Sequence, residues 1–235
     1  MSDPAPKGGD SWDRIWSSSS YGRPGLRTAR ARVKAEAIAA LGLEIATGAR
    51  VLDLACGSGE MVVGLAARSR ARARWVACDG SAVAIRAARS SFHRCGVEAA
   101  TLRADATALP FRCRSFDVVL ACMVLHHLRE PERGLSEIDR VIVGDGTLVV
   151  IAPSPYSLAT LSNLAREAVD LRPYDGRRYT STQLLDLLRT RFAVDDCRPW
   201  QLGFDRPVSA MADRLLNAVF PFWGRYLVAR CHKDG

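Results

Sequence analysis

The 235 residues, 48% of them apolar, suit one large α/β domain, and a formal charge of +8 fits either an anionic partner or a solvated, arginine-rich surface. Seven cysteines with no C-x-x-C pair exclude both a fully paired disulfide framework and a zinc site defined by spacing. The opening MSDPAPKGGD lacks the apolar stretch of a secretory signal, and no apolar run approaches the roughly 20 residues of a membrane span, so a reduced, cytoplasmic protein is expected.

Residues 1–26 read as a flexible N-terminal segment that carries Trp12, Trp16 and Tyr21 among serines, glycines and arginines. A single domain is expected over 27–235. A helix is predicted from about Arg27 to Leu41, where Val33, Ala37 and Leu41 recur every four residues and Ile38 widens the same face. Strands then alternate with helices. Strands are predicted at 50–55, 74–79, 100–104, 116–122 and 146–152, and helices at 59–69, 81–95 and 131–143, with a short turn at 106–109. The central runs FDVVLAC and TLVVIAP are continuously apolar, as in strands covered on both faces. This rhythm predicts a doubly wound, mostly parallel sheet. Beyond it, 157–170 and 180–190 read as helices, the second capped by Thr180 or Ser181, and FAVDDCRPW and WGRYLVARC as two more strands.

The stretch VLDLACGSGE runs from a strand into a glycine turn and a helix. A dinucleotide fingerprint needs a third glycine, and Val62 stands there. Asp53, near the strand end, suits a ligand with an ammonium group better than one with phosphates. Asp79 ends the next strand, 20 residues after Gly59. It is either a ribose-binding acid or, with Ser81, part of a helix cap. Asp105 follows the third strand, beside the small Ala106. It either accepts from the exocyclic amine of an adenine or serves a turn.

Taken in order, these acids resemble the class I S-adenosylmethionine-dependent methyltransferases, in particular the small-molecule branch. The motifs that carry the likeness are VLDLACGSG, ADATALPF, FDVVLACMVLHHL and IDRVIVGDGTLVVIAP, within about residues 48–152. The turn Gly144-Asp145-Gly146 stands where that family usually has Pro-Gly-Gly. The resemblance implies a Rossmann-like, seven-stranded, mostly parallel sheet with an antiparallel last strand and helices on both faces. It implies S-adenosyl-L-methionine as cofactor. Asp53 and the backbone of Ala55, Cys56, Gly57 and Gly59 would meet its methionine end, and Asp79 its ribose. Gly80, Ser81, Asp105 and Ala106 would border the adenine, and Ala121 and Cys122 the sulfonium. Trp16 and Tyr21 would either close over the cofactor as a lid or pack on the domain.

In VLHHL, His126 and His127 follow the fourth strand on the rim where the methyl group would point. Either is a candidate base, His126 ahead of His127, or one of them only pins the loop. Adjacent helical positions lie about 100° apart, which leaves room for one imidazole at the site. Cys122 is expected to be a small buried residue rather than a nucleophile. Neither an Asn-Pro-Pro-aromatic signature nor a nucleic-acid motif is present, so the expected partner is a small-molecule acceptor. Inserts at about 153–180 and 200–221 would bind it, the first with Tyr156, Arg172, Tyr174, Arg177, Arg178 and Tyr179. The segment MADRLLNAVFPFWGRYLV fits either a lipid or quinone surface or a helix packed on the sheet. An oxygen acceptor is expected ahead of nitrogen. The alternatives are a non-catalytic S-adenosylmethionine-binding module and an RNA or protein methyltransferase.

Overall fold

The protein is described from a computed structural model, which covers residues 9–17, 34–68, 72–156, 177–200 and 224–233. The predicted helix over 157–170 and the segment 201–223 lie outside the described residues. So do Tyr21, Arg172 and Tyr174.

Seven strands form one sheet in the order β3-β2-β1-β4-β5-β7-β6. They are β1 (Arg50–Leu54), β2 (Arg74–Asp79), β3 (Ala99–Arg103), β4 (Phe116–Cys122), β5 (Ile142–Pro153), β6 (Ala193–Trp200) and β7 (Tyr226–His232). The first five are parallel, and β7 runs antiparallel between β5 and β6. The described helices are α1 (Gly9–Ser17), α2 (34–40), α3 (Glu60–Arg68), α4 (Ala82–Cys95), α5 (Pro131–Val141) and α6 (Ser181–Arg189). None of them is long and apolar enough to cross a membrane.

Strand periodicity sorts the core into two layers. Leu52, Leu54, Val119, Ala121, Leu148 and Val150 face α5 and α6 through Leu135, Ile138, Leu184 and Leu188. Val51, Val118, Leu120, Cys122, Val149 and Ile151 face α2, α3 and α4 through Ala37, Ile38, Val62 and Phe92. Burial on both faces explains why β4 and the end of β5 read as uninterrupted apolar runs.

One boundary differs from the sequence expectation. Helix α5 stops at Val141 and β5 begins at Ile142. Ile142 pairs with Phe116, but Val118 pairs with Thr147, so β5 takes five steps while β4 takes two. The excess is the Gly144-Asp145-Gly146 turn, with Asp145 at φ 62°. A bulge absorbs it without breaking the strand.

The chain runs outward from β1 to β3 and then crosses back to β4 on the other side of β1. The carboxyl ends of β1 and β4 therefore flank a topological switch point, where open α/β sheets bind ligands.

Candidate functional site at the switch point

Asp53 lies on β1 with the parity of Val51, facing the α2–α3 layer. It is 1% exposed, and its Oδ2 has no hydrogen-bond partner among the described residues. Burial is the main force pushing its carboxyl up to about 7; Lys34 opposes the shift and Asp79 adds to it. An unpaired buried carboxylate is costly unless a cation reaches it. Beyond Asp53 the backbone turns sharply, with Ala55 at φ 58°, Gly57 at 57° and Gly59 at 75°. A Cβ on Gly59 would lie 2.5 Å from the Phe92 ring of α4, so only glycine lets α3 start this close. A Cβ on Gly57 would lie 2.9 Å from the ring of Trp16.

Asp79, at the end of β2, accepts from Gly57 N–H at 3.0 Å and from Ser81 N–H at 2.8 Å. Burial raises its pKa, and these two amides oppose the rise. A carboxylate offers about four acceptor positions, so two remain for a ligand. The cap belongs to Ser81, whose Oγ accepts from Ala84 N–H at 3.2 Å. Gly80 follows, its carbonyl accepting from Arg103 Nε at 2.8 Å. Asp105 is exposed, and its Oδ1 accepts from the N–H and the hydroxyl of Thr107, both at 2.8 Å. That is the work of a turn acid. Ala106 beside it is half-buried.

At the end of β4, Ala121 and Cys122 are buried, and Met123 turns the chain with φ 63°. Left-handed backbone thus follows both β1 and β4, the two strands whose carboxyl ends flank the switch point. Burial raises the Cys122 thiol far from ionisation, and it acts likewise on Cys56 and on Cys78, the latter reaching about 12. These thiols are protonated packing residues.

His126 and His127 sit on a single 3-10 turn, Leu125–His127. Their ring centroids are 3.8 Å apart with the planes tilted by 40°, so both side chains lie together despite being adjacent in sequence. His126 is 2% exposed, and burial, with help from His127 and Lys34, pushes its pKa well below 6.5. Part of the first insert braces this turn. Arg177 N–H donates to His126 O at 2.9 Å, and the buried Tyr179 donates its hydroxyl to Leu125 O at 3.4 Å. Tyr156 is exposed.

Helix α1 lies across the same region, an element that the sequence pattern did not assign. Trp16 packs on the Gly57 turn. Asp13 accepts from Ser81 Oγ, and from Val83 N–H at 3.2 Å, so it caps α4 from outside. These bonds hold its carboxyl below the usual range. Trp12 meets His127 edge-on at 4.8 Å. The sequence reading named Trp12 without giving it a role and passed over Asp13 and Lys34. The available signal was the four-residue spacing of Trp12 and Trp16, which puts both indoles on one helical face.

The Methyltransferase domain family profile matches residues 52–150. The chain is 33% identical over 132 residues to the Escherichia coli protein YafS, spanning 55% of this chain and 54% of that one. It is 35% identical over 106 residues to a demethylmenaquinone methyltransferase of Thermus thermophilus, spanning 45% and 48%. The chain thus spans about half the length of the curated relatives it matches. Among solved structures, a SAM-dependent methyltransferase from Thermotoga maritima superposes with a TM-score of 0.70 at 19% identity, covering 95% of this chain and 99% of that one. At that identity the likeness concerns the fold.

Proposed function

We propose that this protein transfers a methyl group from S-adenosylmethionine to a small or medium-sized acceptor, a reading supported by the match of residues 52–150 to the Methyltransferase domain profile. The observation that carries the reading is the buried Asp53 with its unpartnered Oδ2, set beside a glycine turn at the switch point. The residues present fit that cofactor. Asp53 would receive the ammonium of its amino-acid end, and the free acceptor positions of Asp79 the ribose hydroxyls. Gly80, Ser81 and Ala106 would line the base, with Asp105 available only through what its turn leaves free. Ala55, Cys56, Gly57 and Gly59 would contact the methionine chain, and Ala121 and Cys122 would wall the reacting end with unreactive atoms. Helix α1 would act as the lid, through Trp16.

S-adenosylmethionine supplies an activated methyl group for in-line displacement. The protein's part is orientation, worth about 7–11 kcal/mol when donor and acceptor are held in contact. Where the acceptor carries a proton, the histidine pair would take it, which adds about 10²–10⁴-fold. His127 is the less buried of the two, and the His126 ring lies against it. A hydroxyl acceptor remains our first choice, ahead of nitrogen. Among acceptor classes, the name of the Thermus relative favours a quinone-like ring over a sugar, and such a ring would take the methyl on carbon rather than on a hydroxyl. The test is conversion of S-adenosylmethionine to S-adenosylhomocysteine with a panel of demethylated quinols, phenols and sugars. Tight cofactor binding with no turnover on any member would favour a non-catalytic binding module instead.

A further inference from the structure

Resting on the reading above, we propose that Lys34 is the anchor for the carboxylate of the cofactor's amino-acid end, opposite Asp53. A zwitterion needs two partners. Asp53 answers its ammonium and repels its carboxylate, so a cation must stand on the other side.

Helix α2 supplies it by geometry. Residues 34, 37, 38 and 41 share one helical stripe. Ala37, Ile38 and Leu41 of that stripe are buried against the sheet. Lys34 is the charged end of an otherwise apolar row. The helix also has a fixed direction. Its end near Leu41 is held at β7 and β6, where Arg230 donates to Leu41 O at 2.8 Å and Arg198 donates to Ala40 O. Arg230 pairs with Val149 of β5, which lies in register with Leu120 of β4 and Asp53 of β1. From there α2 rises about 10 Å to Lys34, at 1.5 Å per residue. Ala35, next to Lys34, lies 3.5 Å from the position a Cβ would take on Gly64 of α3.

That course carries Lys34 toward the carboxyl ends of β1 and β4, on the side of the sheet where α2 packs and which Asp53 and Cys122 share by strand parity. Its charge favours the ionised forms of Asp53 and Cys122 and the neutral form of His126, so it stands within electrostatic reach of all three. Lys34 is half-buried and makes no salt bridge among the described residues, Asp53 included. A basic and an acidic group stand across one cleft without neutralising each other. A ligand bearing both charges would pair with each.

The experiment measures binding of two ligands by calorimetry: S-adenosylhomocysteine, and decarboxylated S-adenosylmethionine, which keeps the ammonium and lacks the carboxylate. Lys34→Gln should weaken S-adenosylhomocysteine about ten- to hundred-fold, the scale of a hydrogen bond to a charged group. It should change the affinity for the decarboxylated ligand by less than about three-fold, and Lys34→Arg should restore most of the first loss. Melting curves of both variants check that α2 stays docked. Equal weakening of both ligands by Lys34→Gln, or none of either, overturns the proposal. A parent protein that binds neither ligand overturns the methyltransferase reading itself, and this inference with it.

Discussion

Two buried titratable side chains, one on β1 and one after β4, have opposite preferences. Asp53, with its carboxyl pushed up to about 7, is half protonated near neutrality. An incoming ammonium favours its charged form, so binding must expel that proton. S-adenosylhomocysteine should therefore bind more tightly as pH rises toward 7, with affinity falling about tenfold for each pH unit below it. Calorimetry at pH 6 in two buffers of different ionisation enthalpy should register the release of about one proton. Asp53→Asn should abolish both the release and the pH dependence, and a parent whose affinity is flat from pH 5.5 to 7.5 would show that Asp53 does not face the ligand. His126 has the reverse preference, since burial keeps it neutral. A base limb near 6.5, as expected for a free imidazole, moves lower if His126 takes the proton. His126→Ala and His127→Ala, each measured at saturating cofactor, separate the two. Loss of 10²–10⁴-fold in kcat with unchanged cofactor affinity identifies the base. If each variant keeps turnover within a few-fold of the parent, the proposed transfer works by positioning alone.

At the scale of elements, the glycine turn and α1 show what the sequence could and could not tell. The turn was plain because Gly57 and Gly59 interrupt an apolar run directly after Asp53. Its physical need lies elsewhere in the chain, in a Phe92 ring that would sit 2.5 Å from a Cβ on Gly59. Gly59→Ala combines that clash with a left-handed φ of 75°. It should cost about 2–5 kcal/mol, read as a lowered urea midpoint at unchanged slope. An unchanged midpoint would mean that α4 can move aside. Helix α1 was not foreseen because its two tryptophans stand among polar residues and its stabilising contacts are distant in sequence: Asp13 to Ser81 and Val83, Trp12 to His127. If α1 is the lid, Trp16→Ala should leave the fold's melting temperature nearly unchanged and speed the release of S-adenosylhomocysteine in stopped flow. Equal release rates would reduce Trp16 to a packing residue. The start of β5 misled for a different reason. RVIVGDG fits the end of a helix and the start of a strand equally well, and only pairing with Phe116 assigns Ile142 to the sheet.

At the scale of the molecule, the alternation of apolar runs with helical stretches pointed to a doubly wound, mostly parallel sheet, the family resemblance to its antiparallel last strand, and the acids were placed from where each run ends; the strand order itself appears only in the fold. Lys34 was not placed this way, because its relation to Asp53 exists only once α2 lies on the sheet. The same packing sets how stability depends on pH. The folded Asp53 takes up a proton near 7, whereas the unfolded chain waits until about 3.8. Between those values the folded state binds more protons, so this group makes the protein more stable as pH falls. For His126 the sign is opposite. The unfolded imidazole is protonated below about 6.5 and the buried one is not, so stability is lost as pH falls through that value. From about 6.5 to 4, the two groups therefore act against each other, each changing the folding equilibrium by about tenfold per pH unit while its window is open. Comparing variants with the parent removes the contribution of all other titrating groups. Asp53→Asn should lose stability with acid more steeply than the parent, by about that tenfold per unit between pH 6.5 and 5. His126→Gln should lose it less steeply by a similar amount. Urea midpoints at pH 5, 6 and 7 decide the matter. If both variants follow the slope of the parent, neither residue keeps the buried protonation state on which the proposed site depends.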